Sequence, residues 1–504
     1  MIIFIALVSL FLIGAVFYSK KFRRNENDDS EIPGPGTLLF LKRVYSVGLQ
    51  GFHLCLDEFG HIYGSIFGFS CMGQQFVFLN KKELIKSALS CEEFQARPRT
   101  IFSEHLMRHE IGWTSDMEEH QRLRKILHKA LSIYGDGVQK FENVVSKEIE
   151  SLCRRIEAQN GADFCMNDFL KDSLVNLVSI LLSGKRIEDH EGDSFDVDVI
   201  WNYIESCETV AHPLTMLVLS VFPFLRNMPG YWGNVYEENK KTRERILDIF
   251  YSSMKETYVP GKIRGIVDVL FEIQEKERSR ETQWLTDAHV QGTILDIVVA
   301  GLVTSHHTLS AFFLTLLHYP TVQRKIHKEI GDVIGFHEPP CLNDRPQMPY
   351  TQASVLENFR CSSIVPIGLP RRAIRESLLD GFVVRKNAVI SPCLSSLHHD
   401  DTIYDDPHIF HAERFLDDKG KLLPQEDSQH QSLLPFGYGR RQCPGETFAK
   451  SRIFLYITTL VQKFEFLVSG NAPLPEWDPI TYDHKLTSIP PRFMCCTKTY
   501  PRDP

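Results

Sequence analysis

A mainly α protein with a small β portion is the fold class the sequence predicts, on three features. Helix-period apolar patterns recur along most of the chain, strand-like alternation is confined to short runs, and one apolar helical stretch extends from Ala288 to Tyr319. The chain has 504 residues, 43% hydrophobic and 24% charged, which suffices for a large buried core and excludes disorder. A formal charge of −8 argues against nucleic acid, so no such partner is expected. Its 12 cysteines contain no C-x-x-C and are too sparse for a disulfide scaffold, so most read as buried thiols.

Taken in order, residues 1–19 form the first element. Residues 2–18 carry no charge and are followed by Lys20, Lys21, Arg23 and Arg24. That run is just long enough to span a bilayer, and no basic residue precedes it as in a cleaved signal, so it reads as a transmembrane anchor with the basic cluster on the cytosolic side. Residues 20–37, ending in Ile32-Pro33-Gly34-Pro35-Gly36, read as a stiff hinge linker, because proline and glycine suit neither helix nor sheet interior. Residues 38–504 show no second linker or fixed-period repeat and are taken as one domain. Within it, helices are expected at Glu118–Leu131, Gly137–Ala158, Asp168–Leu182, Lys240–Tyr258, Ala288–Tyr319, Val322–Ile334 and Glu446–Phe464, with strands at Ile62–Phe69, Gln75–Leu79 and Gly381–Val384. The long helix is apolar on most sides and is expected to run through the core.

The chemistry concentrates in Phe436-Gly437-Tyr438-Gly439-Arg440-Arg441-Gln442-Cys443-Pro444-Gly445-Glu446. Glycines before Cys443 allow a tight turn, a basic residue sits two positions earlier, and an apolar helix starts just after it. A helix N-terminus and a cation both favour thiolate, which can be a nucleophile or a metal ligand. A dinucleotide fingerprint is excluded because Gln442 stands where the third glycine would be.

A second constellation is Glu357-Asn358-Phe359-Arg360, a carboxylate and a guanidinium three apart on one helix face. Alone, such a pair is a weak signal. The order of parts strengthens it: long buried helix, E-x-x-R, Ala412-Glu413-Arg414-Phe415, then F-x-x-G-x-R-x-C-x-G, matched by Phe436, Gly439, Arg441, Cys443 and Gly445. With the anchor and hinge, that order resembles a microsomal cytochrome P-450, a haem-thiolate monooxygenase, over essentially the whole chain. Gly439–Phe448 and Val322–Gly335 look like its drug- and steroid-oxidising branch.

The resemblance implies a cytochrome P-450 fold, a single large haem domain behind the N-terminal anchor, on the cytosolic face of the endoplasmic reticulum. It implies haem b as cofactor, with Cys443 as axial ligand of the iron, Phe436 covering the sulfur, and Arg441 on a propionate. Gly439 and Gly445 complete the loop. Glu357, Arg360 and Arg414 would form a buried charge trio behind it. Arg124 and His120, the latter in place of the family's usual tryptophan, and Arg371 would reach propionates. On the distal side, Ala300 and Gly301 leave room for dioxygen and Thr304 keeps the relay hydroxyl, while Val303 replaces the usual acid. Water held by Thr304 or Ser305 would then deliver protons. Asp296 lies two turns away, and His306 and His307 face core or solvent rather than replacing the acid.

The substrate space would be built from Arg99–Asp116, Trp201–Trp232, the helix near Ala300, Ile364–Pro370 and Thr487–Pro490, and the substrate would be lipophilic. Leu214–Leu225 reads as core or as a surface dipping into lipid. No flavin or nicotinamide site is visible, so the implied partners are an NADPH-dependent cytochrome reductase, with NADPH and flavins acting only through it, and cytochrome b5. Arg122, Lys125, Lys129, Arg440 and Lys450 could supply a basic docking face. Two other readings stay open: an isomerase or dehydratase that needs no external electrons, and a non-catalytic haem- or ligand-binding protein.

Overall fold

The computed structural model describes residues 30–500 except 48–50, 72, 136–137, 188–196 and 279–283. The expected anchor, residues 1–19, lies outside the described residues. The described part of the expected hinge is docked rather than extended into solvent. The Pro33 carbonyl accepts from the Gly68 amide at 2.8 Å, and Thr37 Oγ1 donates to the Ser70 carbonyl at 2.6 Å.

The chain opens with α1 (Thr37–Val47), α2 (Phe52–Tyr63), β1 (Ile66–Cys71), β2 (Gln74–Leu79) and α3 (Lys82–Ser90). The strand expected from Ile62 therefore starts at Ile66. His53, Cys55, Leu56, Phe59 and Gly60 are buried at helical spacing, and Ile62 on the opposite face is exposed, so period 3.6 governs this run.

The middle of the chain is helical: α4 (Met117–Gly135), α5 (Val138–Glu157), α6 (Met166–Ser183), α7 (Val197–Ala211), α8 (Pro213–Val221), α9 (Tyr231–Leu247) and α10 (Ile266–Arg278). The helix expected at Lys240–Tyr258 begins instead at Tyr231 and passes through a π-type turn at Asp248–Ser252, which shifts the phase of the buried face.

At the centre is α11 (Asp287–His318). Thr286 and His289 cap its start reciprocally, and Pro320 begins α12 (Pro320–Val333) immediately beyond it. It is long and apolar enough to cross a membrane, yet 72% of its most apolar window is buried inside the protein, so it is the core helix. α13 (Pro349–Ser362) and α14 (Glu446–Lys463) pack beside it.

Strands are short and peripheral, beginning after β1 and β2 with β3 (Phe164–Cys165), which pairs antiparallel with Met494 and Cys495. β4 (Arg371–Arg372) and β7 (Val389–Pro392) complete a sheet in the order β1-β2-β7-β4, with β2 and β7 parallel. β5 (Ser377–Leu379) and β6 (Phe382–Val384) form a hairpin whose Asp380-Gly381 turn has φ of 53° and 83°, the backbone that an Asp-Gly pair provides. The fold is mainly helical with a small sheet portion.

Candidate functional site

Cys443 sits between a short 3₁₀ turn, Gly439–Arg441, and the first turn of α14. The loop is closed by the Cys443 amide donating to the Phe436 carbonyl at 2.9 Å. Gly439 has φ +75°, and a Cβ there would lie 2.5 Å from the Leu89 carbonyl oxygen of α3, so both the turn and the packing exclude a side chain. Burial pushes the Cys443 thiol up, against the Gly445 amide and the more distant Arg124, which pull it down. The protein alone therefore favours thiol here, contrary to the expectation from the helix N-terminus, and metal ligation is what would take the proton off.

Cys443 opens onto a cavity of about 370 Å³. One wall is α11, through Ala300, Gly301 and Thr304, and another comes from Ile364, Val365 and Leu369. A Cβ on Gly301 would meet nothing within 4 Å, so this stretch is open. Thr304 Oγ1 donates to the Ala300 carbonyl at 2.8 Å. Val303 is buried in the core and does not line the cavity. Ser305 also lies at the wall, and its Oγ accepts a hydrogen bond from the buried Arg452 of α14. Arg452 also donates to the Gly301 carbonyl at 2.8 Å. The described residues of the expected Trp201–Trp232 and Thr487–Pro490 segments do not line this cavity, whereas Ile111 and Gly112 do.

The cavity collects buried basic side chains from separate parts of the chain. Arg371 on β4, Arg441 in the cysteine loop, Arg97 after α3 and His120 on α4 are each under 10% exposed. Arg371 and Arg441 both leave Nε and Nη1 without a partner, and His120 leaves Nδ1 so. Burial, then Arg441, draws Arg371 down to about 9, and burial draws Arg441 down to about 10. His120 is held at about 3 by burial and then by Arg441, Arg97, Arg124 and Arg371, so it is neutral. Arg97 was not evident from sequence. Its Nη1 donates to the Leu369 and Pro370 carbonyls at 2.9 and 2.8 Å, and its Nε to Gly112 at 2.7 Å; the local signal is Pro98, which keeps it extended. Arg124 is half-buried, and its Nη1 donates to the Gln442 carbonyl beside the cysteine. Such a set of unpartnered donors suits a ligand with two anionic groups.

Glu357, Arg360 and Arg414 do come together, but none lines the cavity, so they are not direct cofactor contacts. Arg360 grips Glu357 with two bonds of 2.8 Å, and Arg414 Nε reaches the same carboxylate at 2.9 Å, with Glu357 and Arg360 fully buried. Arg360 also donates to the carbonyls of His398 and Pro407 at 2.9 and 2.7 Å. The link to the cysteine loop is Phe359, edge-on to Phe436 with centroids 5.3 Å apart. His306 and His307 are buried away from the cavity. His306 Nε2 donates to the Asn167 carbonyl at 2.8 Å, and His307 Nδ1 meets Thr487 Oγ1 at 3.1 Å.

The cytochrome P450 family model matches residues 32–496. The chain belongs to the cytochrome P450 family. Among its relatives are a steroid 17-alpha-hydroxylase/17,20 lyase of Rana dybowskii, 29% identical with 94% of this chain and 93% of the relative covered, and cytochrome P450 2D10 of Mus musculus, 29% identical with 88% of each covered. Cytochrome P450 2B2 of Rattus norvegicus is 28% identical over 92% of this chain and 93% of its own. This P450 is an oxidoreductase of the monooxygenase type whose cofactor is haem b. The residues present fit that group: a half-buried thiol and unpartnered cationic donors face one cavity, and the group brings an iron and two carboxylates.

Proposed function

We propose that this P450 hydroxylates or epoxidises a lipophilic small molecule at the endoplasmic reticulum membrane, using dioxygen and electrons passed from NADPH by a separate reductase. The observation that carries the reading is one cavity lined by a half-buried cysteine thiol, a threonine hydroxyl and unpartnered buried arginines. When bound, the haem supplies the oxygen activation, favoured by electron density from its thiolate ligand.

The chain's own residues then divide the work. Cys443 Sγ binds the iron, and Arg124 holds the Gln442 carbonyl so that the loop keeps its shape. Arg371, Arg441 and His120 bind the two carboxylates, removing the cost of their unpartnered N–H groups. The Glu357, Arg360 and Arg414 trio orients the loop through Phe359 and Phe436. Thr304 Oγ1 holds a proton at the cavity wall and passes it by way of water, since Val303 offers none and Ser305 is held by Arg452. Ile111, Ile364, Val365 and Leu369 exclude water and favour an apolar substrate.

Membrane association is supported by Phe224, Met228 and Tyr231, large side chains exposed near one another in sequence beyond α8, and by the apolar run at residues 2–18. For reductase or cytochrome b5 docking, Lys125 and Lys129 are exposed on α4, whereas Arg122, Arg440 and Lys450 are engaged by Glu118, Glu92 and Glu446. The test is the carbon monoxide spectrum of the reduced protein. A red-shifted Soret band lost in Cys443→Ala is expected, and a normal band in that variant overturns the ligand assignment. Turnover of apolar substrates with reductase and NADPH, against turnover with a hydroperoxide alone, then tests the reaction.

A further inference from the structure

The geometry points to a second metal site, remote from Cys443, in which His109, Glu119 and His289 bind one divalent transition ion such as Zn²⁺. These residues come from three separate elements: the loop before α4, the first turn of α4 and the first turn of α11. His109 Nδ1 and His289 Nε2 each lie 2.9 Å from Glu119 Oε1, and all three ligand atoms fall within 4.8 Å of one another. Two imidazoles and a carboxylate are a donor set that zinc favours, with the fourth position left to water. Tetrahedral bonds of about 2 Å set ligand atoms roughly 3.3 Å apart, so small side-chain shifts complete the site.

An outer shell is already in place. His289 Nδ1 lies 3.0 Å from Thr286 Oγ1 and 3.1 Å from the Thr286 amide. Without metal the amide donates to Nδ1 and Nε2–H donates to Glu119. With metal the proton moves to Nδ1, where the Thr286 hydroxyl accepts it and Nε2 turns its lone pair to the ion. Thr114 Oγ1 holds the other carboxylate oxygen of Glu119 at 2.5 Å, and the Trp284 ring stacks on His289 with centroids 4.6 Å apart, fixing its plane. The His109 side chain is 37% exposed against 10% for His289, so an ion has an entry path from solvent on the loop side.

None of the three ligands lines the cavity, and the site does not rest on the proposed oxidation. Its consequence reaches the cavity through the loop. Ile111 and Gly112 form part of the cavity wall, and the Ile111 amide is held by Asp296 of α11. The His109 carbonyl also presses on Gly292, where a Cβ would lie 2.5 Å from its oxygen. An ion at His109, Glu119 and His289 would pin this loop to α4 and α11 and stiffen the roof of the substrate space.

The test uses the haem-loaded full chain in detergent, stripped with EDTA and titrated with ZnCl₂ by calorimetry, with zinc-edge X-ray absorption on the loaded protein. One zinc per chain with imidazole scattering is expected. His109→Ala and Glu119→Gln should each weaken that site more than about 100-fold with the haem spectrum unchanged, and Thr114→Val by about 10- to 100-fold. His337→Ala, at an exposed histidine elsewhere, should leave it intact. Absence of a stoichiometric zinc, or equal affinity in His109→Ala, overturns the site; because His109 is partly exposed, that variant is expected to fold whatever Glu119→Gln does.

Discussion

Replacing Arg371 by methionine should move the haem-free and haem-loaded protein in opposite directions. Burial, then the neighbouring Arg441, draws the Arg371 guanidinium from its ordinary value down to about 9. At pH 7 the group is charged in both folded and unfolded chains, so the whole difference, on the order of 5 kcal/mol, stands as a penalty on the folded cation when no anion faces it. Methionine fills similar space without charge, so the haem-free variant should be more stable by a few kcal/mol. With haem bound, the same change deletes a charge-assisted hydrogen bond worth about 1.5–3 kcal/mol, so haem should leave about 10- to 100-fold faster. The assay is the urea midpoint of protein produced without and with haem, together with the rate of haem transfer to a scavenging globin. Destabilisation of the haem-free variant, or unchanged haem loss, would refute the assignment of Arg371 to an anionic ligand and leave it a structural residue of β4.

Gly437→Ala and Gly439→Ala share a left-handed backbone, φ +73° and +75°, but only the second meets a backbone oxygen. The first should cost about 1–2 kcal/mol and the second clearly more, with loss of haem content, as read from urea midpoints and the haem absorbance ratio. Arg360→Met should destabilise by about 3–5 kcal/mol in the same assay, because Glu357 stays buried with Arg414 alone; a loss under 1 kcal/mol would argue against the trio's orienting role. His306, held at about 4 chiefly by burial, binds its proton less readily when folded than the unfolded value near 6.5 allows, so its contribution is complete above pH 6.5 and is lost as pH falls toward 4. His306→Gln, whose amide can still donate to Asn167, should lose about 2 kcal/mol less than the parent between pH 7 and 5; parallel curves would sink this account.

The cysteine loop was legible because its information is local. Two glycines, a basic residue and the start of an apolar helix lie within a few positions of Cys443, and each states a backbone or charge requirement of its own. The pairing of Glu357 with Arg360 was legible for the same reason, being one helical turn. α2 was missed because Ile62 to Phe69 reads as a strand until Gly64 is seen to end a helix whose buried face began at His53. Arg452 was also missed, although a charged residue beside Ile453-Phe454-Leu455-Tyr456-Ile457 on an apolar helix was a visible anomaly. Its partners, Gly301 and Ser305, lie about 150 residues away in sequence.

The sequence by itself determined the mainly helical fold class, the buried central helix, and the motif that places Cys443 at the seat of the chemistry, because these depend on neighbours in the chain. Tertiary structure alone decided that Arg97, His120, Arg371 and Arg441 face one cavity, that Arg371, Arg441 and His120 do so with ring or guanidinium nitrogens unpartnered, that Ser305 accepts from Arg452, and that His109, Glu119 and His289 meet. Such groupings arise where separate helices and loops pack, and a side chain's partner across a packed interface leaves no periodic trace in either segment.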